Sequence, residues 1–353
     1  MQLSKYPQLV QNMILNNMEY SDLFIFSFVS KKTKKLIESS PRMKRFKSVN
    51  TIRYEHHYDR TMVSIPFHQF HDNMLQIIES DDAENDTFQL NVCGKLFDFG
   101  IIYDGNKYYP VAFSQADNSL IAAIHDYLLD FFGNSVEYYW HALDCRKPIP
   151  QLQNISACFN LAFANSILDM GRFENFISSS PVLKFIDMYI ENTTAPFSPE
   201  SKFYQAEHID TYQFEPTLPD TLRHFKGRQA FLEYLRCNIH DVIELVNKWK
   251  SGEAFNKLEV IEVKISVDFN QNEIMHAIGA KHIDHAKKPP THTLPKVYRD
   301  IAFDEEPNTD PITSYTYVVR ETDSRVASVL VHDRTFNFGV WDKTEDEFLR
   351  IMD

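Results

Sequence analysis

The chain of 353 residues contains only nine glycines and four cysteines, and each shortage closes off a class of function. It has no GxGxxG or GxxxxGK[ST] run, so the glycine-rich loops that lay backbone N–H groups against a nucleotide phosphate are missing. Cys93, Cys145, Cys158 and Cys237 stand far apart without CxxC spacing. Scattered cysteines with no secretory leader predict free thiols in a reducing compartment, the cytoplasm or the nucleus. The sequons at Asn85, Asn154 and Asn192 would then stay unglycosylated. No uncharged apolar run approaches the roughly 18 residues of a membrane-spanning helix.

Catalytic constellations are equally scarce. There is no GxSxG elbow and no HExxH. Cys158 lies in an apolar stretch and reads as a small core residue. The acidic pairs Asp81-Asp82 and Glu305-Glu306 sit in acidic loops where solvation is the expected role. His276, His282, His285 and His292 cluster, and His282-Ile-Asp-His285 could offer two imidazoles to a metal. Lys281, Lys287 and Lys288 would repel a cation there, so a polar loop is expected, and His68-Gln-Phe-His71 is expected at the surface. These readings predict no cofactor, no metal and no enzyme activity. A small-molecule enzyme would need convergent polar groups in one pocket.

Apolar residues are plentiful: 43% of the chain is hydrophobic, with 28 Phe and 17 Tyr, enough for an aromatic-rich core. Charge is unevenly spread. Residues 1–53 hold ten Lys and Arg against three Asp and Glu, a charge of +7, which leaves −20 for the remainder of a chain whose total is −13. An acidic body does not suit a phosphate backbone, so no nucleic-acid partner is expected. The basic run from Lys31 to Arg53 reads as the solvated face of a helix, with a nuclear-import or nucleic-acid patch as the alternative.

The N-terminus carries three short helical segments. Pro7 suits a first helical turn. Val10, Ile14 and Met18 recur at a four-residue spacing on one face. Ser21 and Asp22 can cap a second helix bearing Leu23, Phe24, Phe26 and Phe28. Ser30 can cap a third. So many apolar residues in so small a unit call for a partner surface. This segment resembles an F-box without a gap: Pro7, Val10, Ile14, Met18, Asp22, Leu23, Val29, Ser30 and Lys31 stand at the motif's positions, while Tyr6 replaces its usual Leu and Thr33 its usual Trp.

Residues 48–60 read as a linker. A β-meander follows at Phe88–Val92, Leu96–Ile102 and Tyr108–Phe113, with turns at Gly94 and Asp104-Gly105. Asp117 can cap a helix whose inner face is Leu120, Ile121, Ile124, Leu128 and Phe131. Strands are expected at 136–140, 159–163, 183–190, 231–235 and 258–267, with helices near 172–178 and from Asn238 to Trp249, and a long irregular stretch at 192–220. The strand–helix steps, near 25 residues, fall in the leucine-rich-repeat range. The expected class is therefore α/β: a three-helix F-box (1–47), then a body (61–310) that is either an irregular leucine-rich-repeat-like solenoid or a non-repetitive α/β sheet, closed by a β-hairpin (311–345).

The stretch 200–270 is similar to the F-box-associated domain common in nematode F-box proteins, through Asn247, Trp249, Ser251-Gly252 and Lys257-Leu258-Glu259. The segments Tyr317–Val331 and Phe336–Trp341 resemble the hairpin that closes those chains, with Ser324 where they often carry Gly. The resemblance implies a substrate-recruiting subunit of an SCF-type ubiquitin ligase. The F-box would bind a Skp-type adaptor through Pro7, Leu9, Val10, Ile14, Leu15, Leu23 and Phe24, and through it cullin and RING subunits, while the body holds a substrate protein. A scaffold outside any ligase and, behind it, an unrecognised small-molecule enzyme are the alternative readings; no membrane partner is expected. Elemental analysis of untagged protein is expected to find no stoichiometric zinc, and bound zinc would overturn the reading of His282 and His285.

Overall fold

The computed structural model describes residues 3–39, 49–67, 70–79, 87–103, 105, 108–114, 118–162, 167–213, 218–235, 237–294 and 310–352. The chain divides into two compact units, 1–144 with 149–157, and 145–148 with 158–353. Among the described residues no helix is long and apolar enough to cross a membrane.

In the first unit, α1 (Gln8–Asn17), α2 (Tyr20–Ser27) and α3 (Lys31–Ser39) precede a sheet of seven strands. These are β1 (Thr51–His57), β2 (Arg60–Phe67), β3 (Phe70–Glu79), β4 (Phe88–Val92), β5 (Lys95–Tyr103), β6 (Tyr108–Ser114) and, after α4 (Ser119–Phe132), β7 (Glu137–Ala142). Their order is β7-β1-β2-β3-β6-β5-β4. The expected meander is there as antiparallel β4, β5 and β6. Its first turn has two residues, Cys93 at φ 50° and Gly94 at φ 88°, the pairing that matches strand twist. Asn91 Oδ1 accepts from Gly94 N at 2.9 Å.

Within the stretch 48–60, expected to be a linker, residues 51–57 form a strand. Ile52, Tyr54 and His56 alternate inward with Arg53, Glu55 and His57, so the stretch builds β1, held between β2 and β7. Tyr54 stacks on Trp140 at 5.5 Å and donates to Nδ1 of His125 at 2.9 Å; His125 Nε2 then donates to the Gln153 carbonyl at 2.7 Å. That imidazole is a structural joint between strand, helix and loop. The helix read as capped by Asp117 starts at Ser119; Asp117 lies outside the described residues, as do Asp104, most of the acidic loop 79–87 and Asn85.

The second unit is built on β8 (Ile155–Ala162), β10 (Phe185–Tyr189), β12 (His208–Gln213), β13 (Gln229–Tyr234) and β14 (Val260–Ile265). These five pair in parallel, each with its successor in that series. Between them lie β9 (Ile167–Leu168) paired with β11 (Asn192–Thr193), then α5 (Met170–Ser179), a 3-10 turn (Lys202–Gln205), α6 (Leu218–His224) and α7 (Ile239–Ser251). The strands lie side by side in chain order. The in-register residues Cys158, Phe185, His208, Gln229 and Val260 are 27, 23, 21 and 31 residues apart, so the step is uneven and the connecting pieces differ. The stretch 192–220, expected to be irregular, contains the central strand β12; its polar Thr211 is buried because it bonds Tyr234 Oη at 3.2 Å.

The sheet ends in more than the single hairpin expected for 311–345. After α8 (Gln271–Ala277), β15 (Lys281–His282), β16 (Thr291–His292) and β17 (Ile312–Thr313) come β18 (Thr316–Val319), β19 (Arg325–His332), β20 (Thr335–Thr344) and α9 (Glu345–Arg350). β18, β19 and β20 form an antiparallel meander, and β20 joins β14 antiparallel. Ser324 sits at φ 60°, the left-handed region that suits Gly. One register row, Phe159, Ile186, Ile209, Ala230, Ile261 and Phe338, is fully buried across all six strands. Phe173 and Phe176 of α5 pack on Phe159 at 5.3 and 5.2 Å, and Trp249 of α7 meets Phe338 edge-on at 5.1 Å. α7 is capped by Asn238, as its sequence predicts, and stops at the left-handed Gly252.

Burial lowers the proton affinity of His125, His141, His208 and His292. Unfolding returns each to its ordinary value of 6.5, so the unfolded chain binds protons that the folded chain refuses. Stability is therefore complete above that value and is lost as pH falls below it. Urea midpoints are expected to drop between pH about 7.5 and about 5.5, outside the main carboxylate range; a flat profile would contradict the buried neutral imidazoles.

Candidate functional site

The three N-terminal helices show two different surfaces. Pro7 precedes α1 at φ −54° and ψ 146°, and its carbonyl accepts from Val10 N at 2.9 Å and Gln11 N at 3.0 Å. Proline's fixed φ thus starts the helix where its missing N–H costs nothing. Leu9 and Met13 are four residues apart and share a side of α1; they are 73% and 58% exposed. Pro7 and Tyr6 are exposed beside them, and Val10 and Ile14 are half-buried. Val29, between α2 and α3, is also exposed. An apolar strip of this kind is the feature expected of a docking surface.

The rest of the helical segment faces its own unit. Leu15, Leu23 and Phe24 are buried. α2 lies on β3 and β6. Phe28 stacks on Tyr127 of α4 at 4.2 Å, and Phe24 meets the same ring edge-on at 5.9 Å. Ser27 Oγ donates to the Phe24 carbonyl, so Tyr127 Oη donates to Ser27 Oγ, at 2.6 Å. Burial pushes the Tyr127 phenol up to about 12, keeping it a neutral donor. From α3, Lys34 lies 4.2 Å from the Tyr127 ring centroid and pairs with Asp130. Thr33, where the resembled motif has Trp, is half-buried; its backbone N–H and hydroxyl both contact Ser30 Oγ, at 3.0 and 2.8 Å. Ser30 therefore caps α3 as its sequence predicts. Ser21 and Asp22 do not cap α2, which starts one residue earlier at Tyr20 without a side-chain cap.

The seven residues singled out for docking thus divide. Pro7 and Leu9 are at the surface, Val10 and Ile14 are partly so, and Leu15, Leu23 and Phe24 are interior. Met13 was not among them, although its spacing from Leu9 is a readable signal. Leu23 and Phe24 could not be separated from sequence because the surface their helix meets comes from residues 70–132.

The other candidates do not assemble. Among the described residues no group of three or more His, Cys, Asp or Glu could hold a metal. His276, His282 and His285 are exposed, and His285 leans on Tyr315 at 4.8 Å. His292 is buried, with Nε2 3.0 Å from the Val340 carbonyl. His71 is exposed, and Cys158 is buried. His68, Asp81, Asp82, Glu305, Glu306 and the basic residues 42–47 lie outside the described residues.

Residues 7–45 match the model of the F-box domain. No curated protein and no solved structure matches the chain. The chain accordingly has an F-box domain in its three N-terminal helices, followed by an α/β body dominated by a large sheet.

Replacing Tyr127 by Ala is expected to cost about 3 kcal/mol and to strip hydrogen-exchange protection from α2 and α3. Tyr127→Phe removes only the bond to Ser27 and should cost about 1 kcal/mol. Helices that stay protected in Tyr127→Ala would mean that they fold independently of α4.

Proposed function

We propose that this F-box protein recruits substrates to a Skp–cullin–RING ubiquitin ligase and performs no bond chemistry itself. The observation that carries the reading is the F-box match on a helix whose Leu9 and Met13 stand free of the domain's own core. In this reading a Skp-type adaptor covers Leu9 and Met13, flanked by Pro7, Val10 and Ile14. The two large apolar side chains then leave water, at roughly 1.5–3 kcal/mol each when fully buried. Leu15, Leu23 and Phe24 act indirectly, by holding α1 and α2 on the body.

The body would hold the substrate. Tethering it beside a charged conjugating enzyme raises the effective concentration of its lysines, the whole of the rate advantage such a subunit contributes. The same reading assigns the second unit to the F-box-associated type found in nematode chains. Its support is the run from Asn247 through buried Trp249 to Gly252 and the following Leu258-Glu259. It also places the protein in the cytoplasm with access to the nucleus, for which four free cysteines speak.

The test follows from the burial pattern. Leu23 is 2% exposed, so a charge there would unfold the unit and report nothing about docking. Leu9→Glu with Met13→Glu leaves the interior untouched. The double variant is expected to keep the parent's melting temperature and to weaken binding of purified adaptor about a hundredfold or more. Unchanged affinity in a calorimetric titration would rule the α1 surface out.

A further inference from the structure

The face of the second unit's sheet opposite the buried register row is only partly covered. Counting three residues along each strand from that row gives Tyr189, Tyr212, Glu233, Lys264 and Thr335, again in register across five strands. Side chains alternate between faces, so an odd step places this row away from Phe173 and Trp249. Nearer the start of the strands, Leu294 and Ile312 cover Phe231 and Val260. Towards their ends the face is open: Tyr189 is 39% exposed, Glu233 is exposed, and Tyr212 and Lys264 are half-buried.

A cavity of about 330 Å³ opens at this point, lined among others by Tyr212, Glu233, Leu235, Lys264, Ser266 and Arg334. It lies at the carboxyl ends of parallel strands, where open α/β sheets commonly take their ligands. Three features give it a chemistry. Tyr189 and Tyr212 stack face to face, 4.4 Å apart with 10° between planes, so each ring covers one face of the other and the outer face of Tyr212 is left on the side of the Glu233 strand. Glu233 is the in-register neighbour of Tyr212, one strand spacing of roughly 4.8 Å away. The cavity's two cations are already engaged: Lys264 Nζ is 2.9 Å from Glu262 and Arg334 Nε is 3.4 Å from Asp268. Among the described residues no cation pairs with Glu233.

We infer that this cleft is the substrate-reading surface, and that it takes an arginine side chain of an extended partner segment: the guanidinium lies against the outer face of Tyr212, backed by Tyr189, and forks onto the Glu233 carboxylate. A planar, weakly hydrated cation with paired N–H donors fits both surfaces at once, which an ammonium does not. Asp187 and Asp210 lie two residues earlier on the same strands, in register with each other on the same face. They extend the negative field along the path of the segment, so further basic residues would be favoured there.

This inference rests on the recruitment reading for its biological sense, but the binding site can be tested alone. The probe is fluorescein-labelled Ser-Arg-Ser-Arg-Ser, amidated at its C-terminus, titrated at low salt with the full chain and followed by anisotropy. Saturable binding is expected. Glu233→Gln and Tyr212→Leu should each weaken it about tenfold, with melting temperatures unchanged, and the Lys counterpart of the peptide should bind several-fold more weakly. Glu321→Gln, an exposed carboxylate outside the cleft, should have no effect. Absence of binding, or equal losses in Glu321→Gln and Glu233→Gln, would overturn the cleft, because the attraction would then be general. Adaptor titration of the same preparations separates the two readings. Adaptor binding without peptide binding sinks the cleft and leaves recruitment standing; peptide binding without adaptor binding does the reverse.

Discussion

The second unit depends on keeping one register row dry. Phe159, Ile186, Ile209, Ala230, Ile261 and Phe338 lie side by side across six strands and expose nothing to solvent. A one-residue slip of any strand would turn its apolar set to the other face, so this row sets the register of every neighbour. It also determines where the helices sit: Phe173, Phe176 and Trp249 complete the burial from the same side. The opposite face is thereby released from the core, and it can carry Asp187, Asp210, Tyr212 and Glu233 without a desolvation cost comparable to that of the interior. Rigid burial on one face is the condition for a polar surface on the other.

A related division organises the first unit. An F-box of three short helices has too little interior to bury all its apolar residues. Here α2 resolves this by lying on β3, β6 and α4, with Phe24, Phe28 and Tyr127 as the contact and the Ser27 hydroxyl satisfied within it. What is left exposed on α1 is a narrow apolar strip, Leu9 and Met13, rather than a wide patch. The domain is thus anchored by one helix and displays another. Holding α1 on a rigid support reduces the entropy lost on docking, since fewer groups need ordering at that moment. Tyr6 and Thr33, the two departures from the usual motif, fit this picture: Tyr6 extends the exposed strip, and Thr33 joins Ser30 in a local cap instead of filling an interior.

Much of this was legible in the residue order because it is short-range physics. The caps at Ser30 and Asn238, the stop at Gly252, the two-residue turn at Cys93-Gly94 and the alternation of β14 each involve neighbours a few positions apart. The F-box pattern belongs to the same class, since it is a periodicity within 25 residues. The stretches misread by sequence are those in which long-range partners outweigh local character. Residues 48–60 look polar, yet Ile52, Tyr54 and His56 become a central strand once β2 and β7 flank them. His208–Gln213 looks irregular, yet Thr211 is buried because Tyr234 supplies its hydrogen bond.

The sequence by itself determined the helical N-terminus, the antiparallel β4, β5 and β6, and the charge contrast between the N-terminal segment and the body. Only the tertiary structure decided which apolar residues remain outside. Leu9 and Leu23 are equally hydrophobic and belong to the same motif, yet one is exposed and the other buried. The difference is made by β3, β6 and α4, segments tens of residues distant, and the Ser27–Tyr127 bond alone spans a separation of 100 positions. Likewise, nothing local marks Tyr212 and Glu233 as neighbours; parallel pairing of β12 with β13 puts them side by side. Hydrophobicity sets how much surface must be covered, and pairing between distant strands sets which surface is left uncovered.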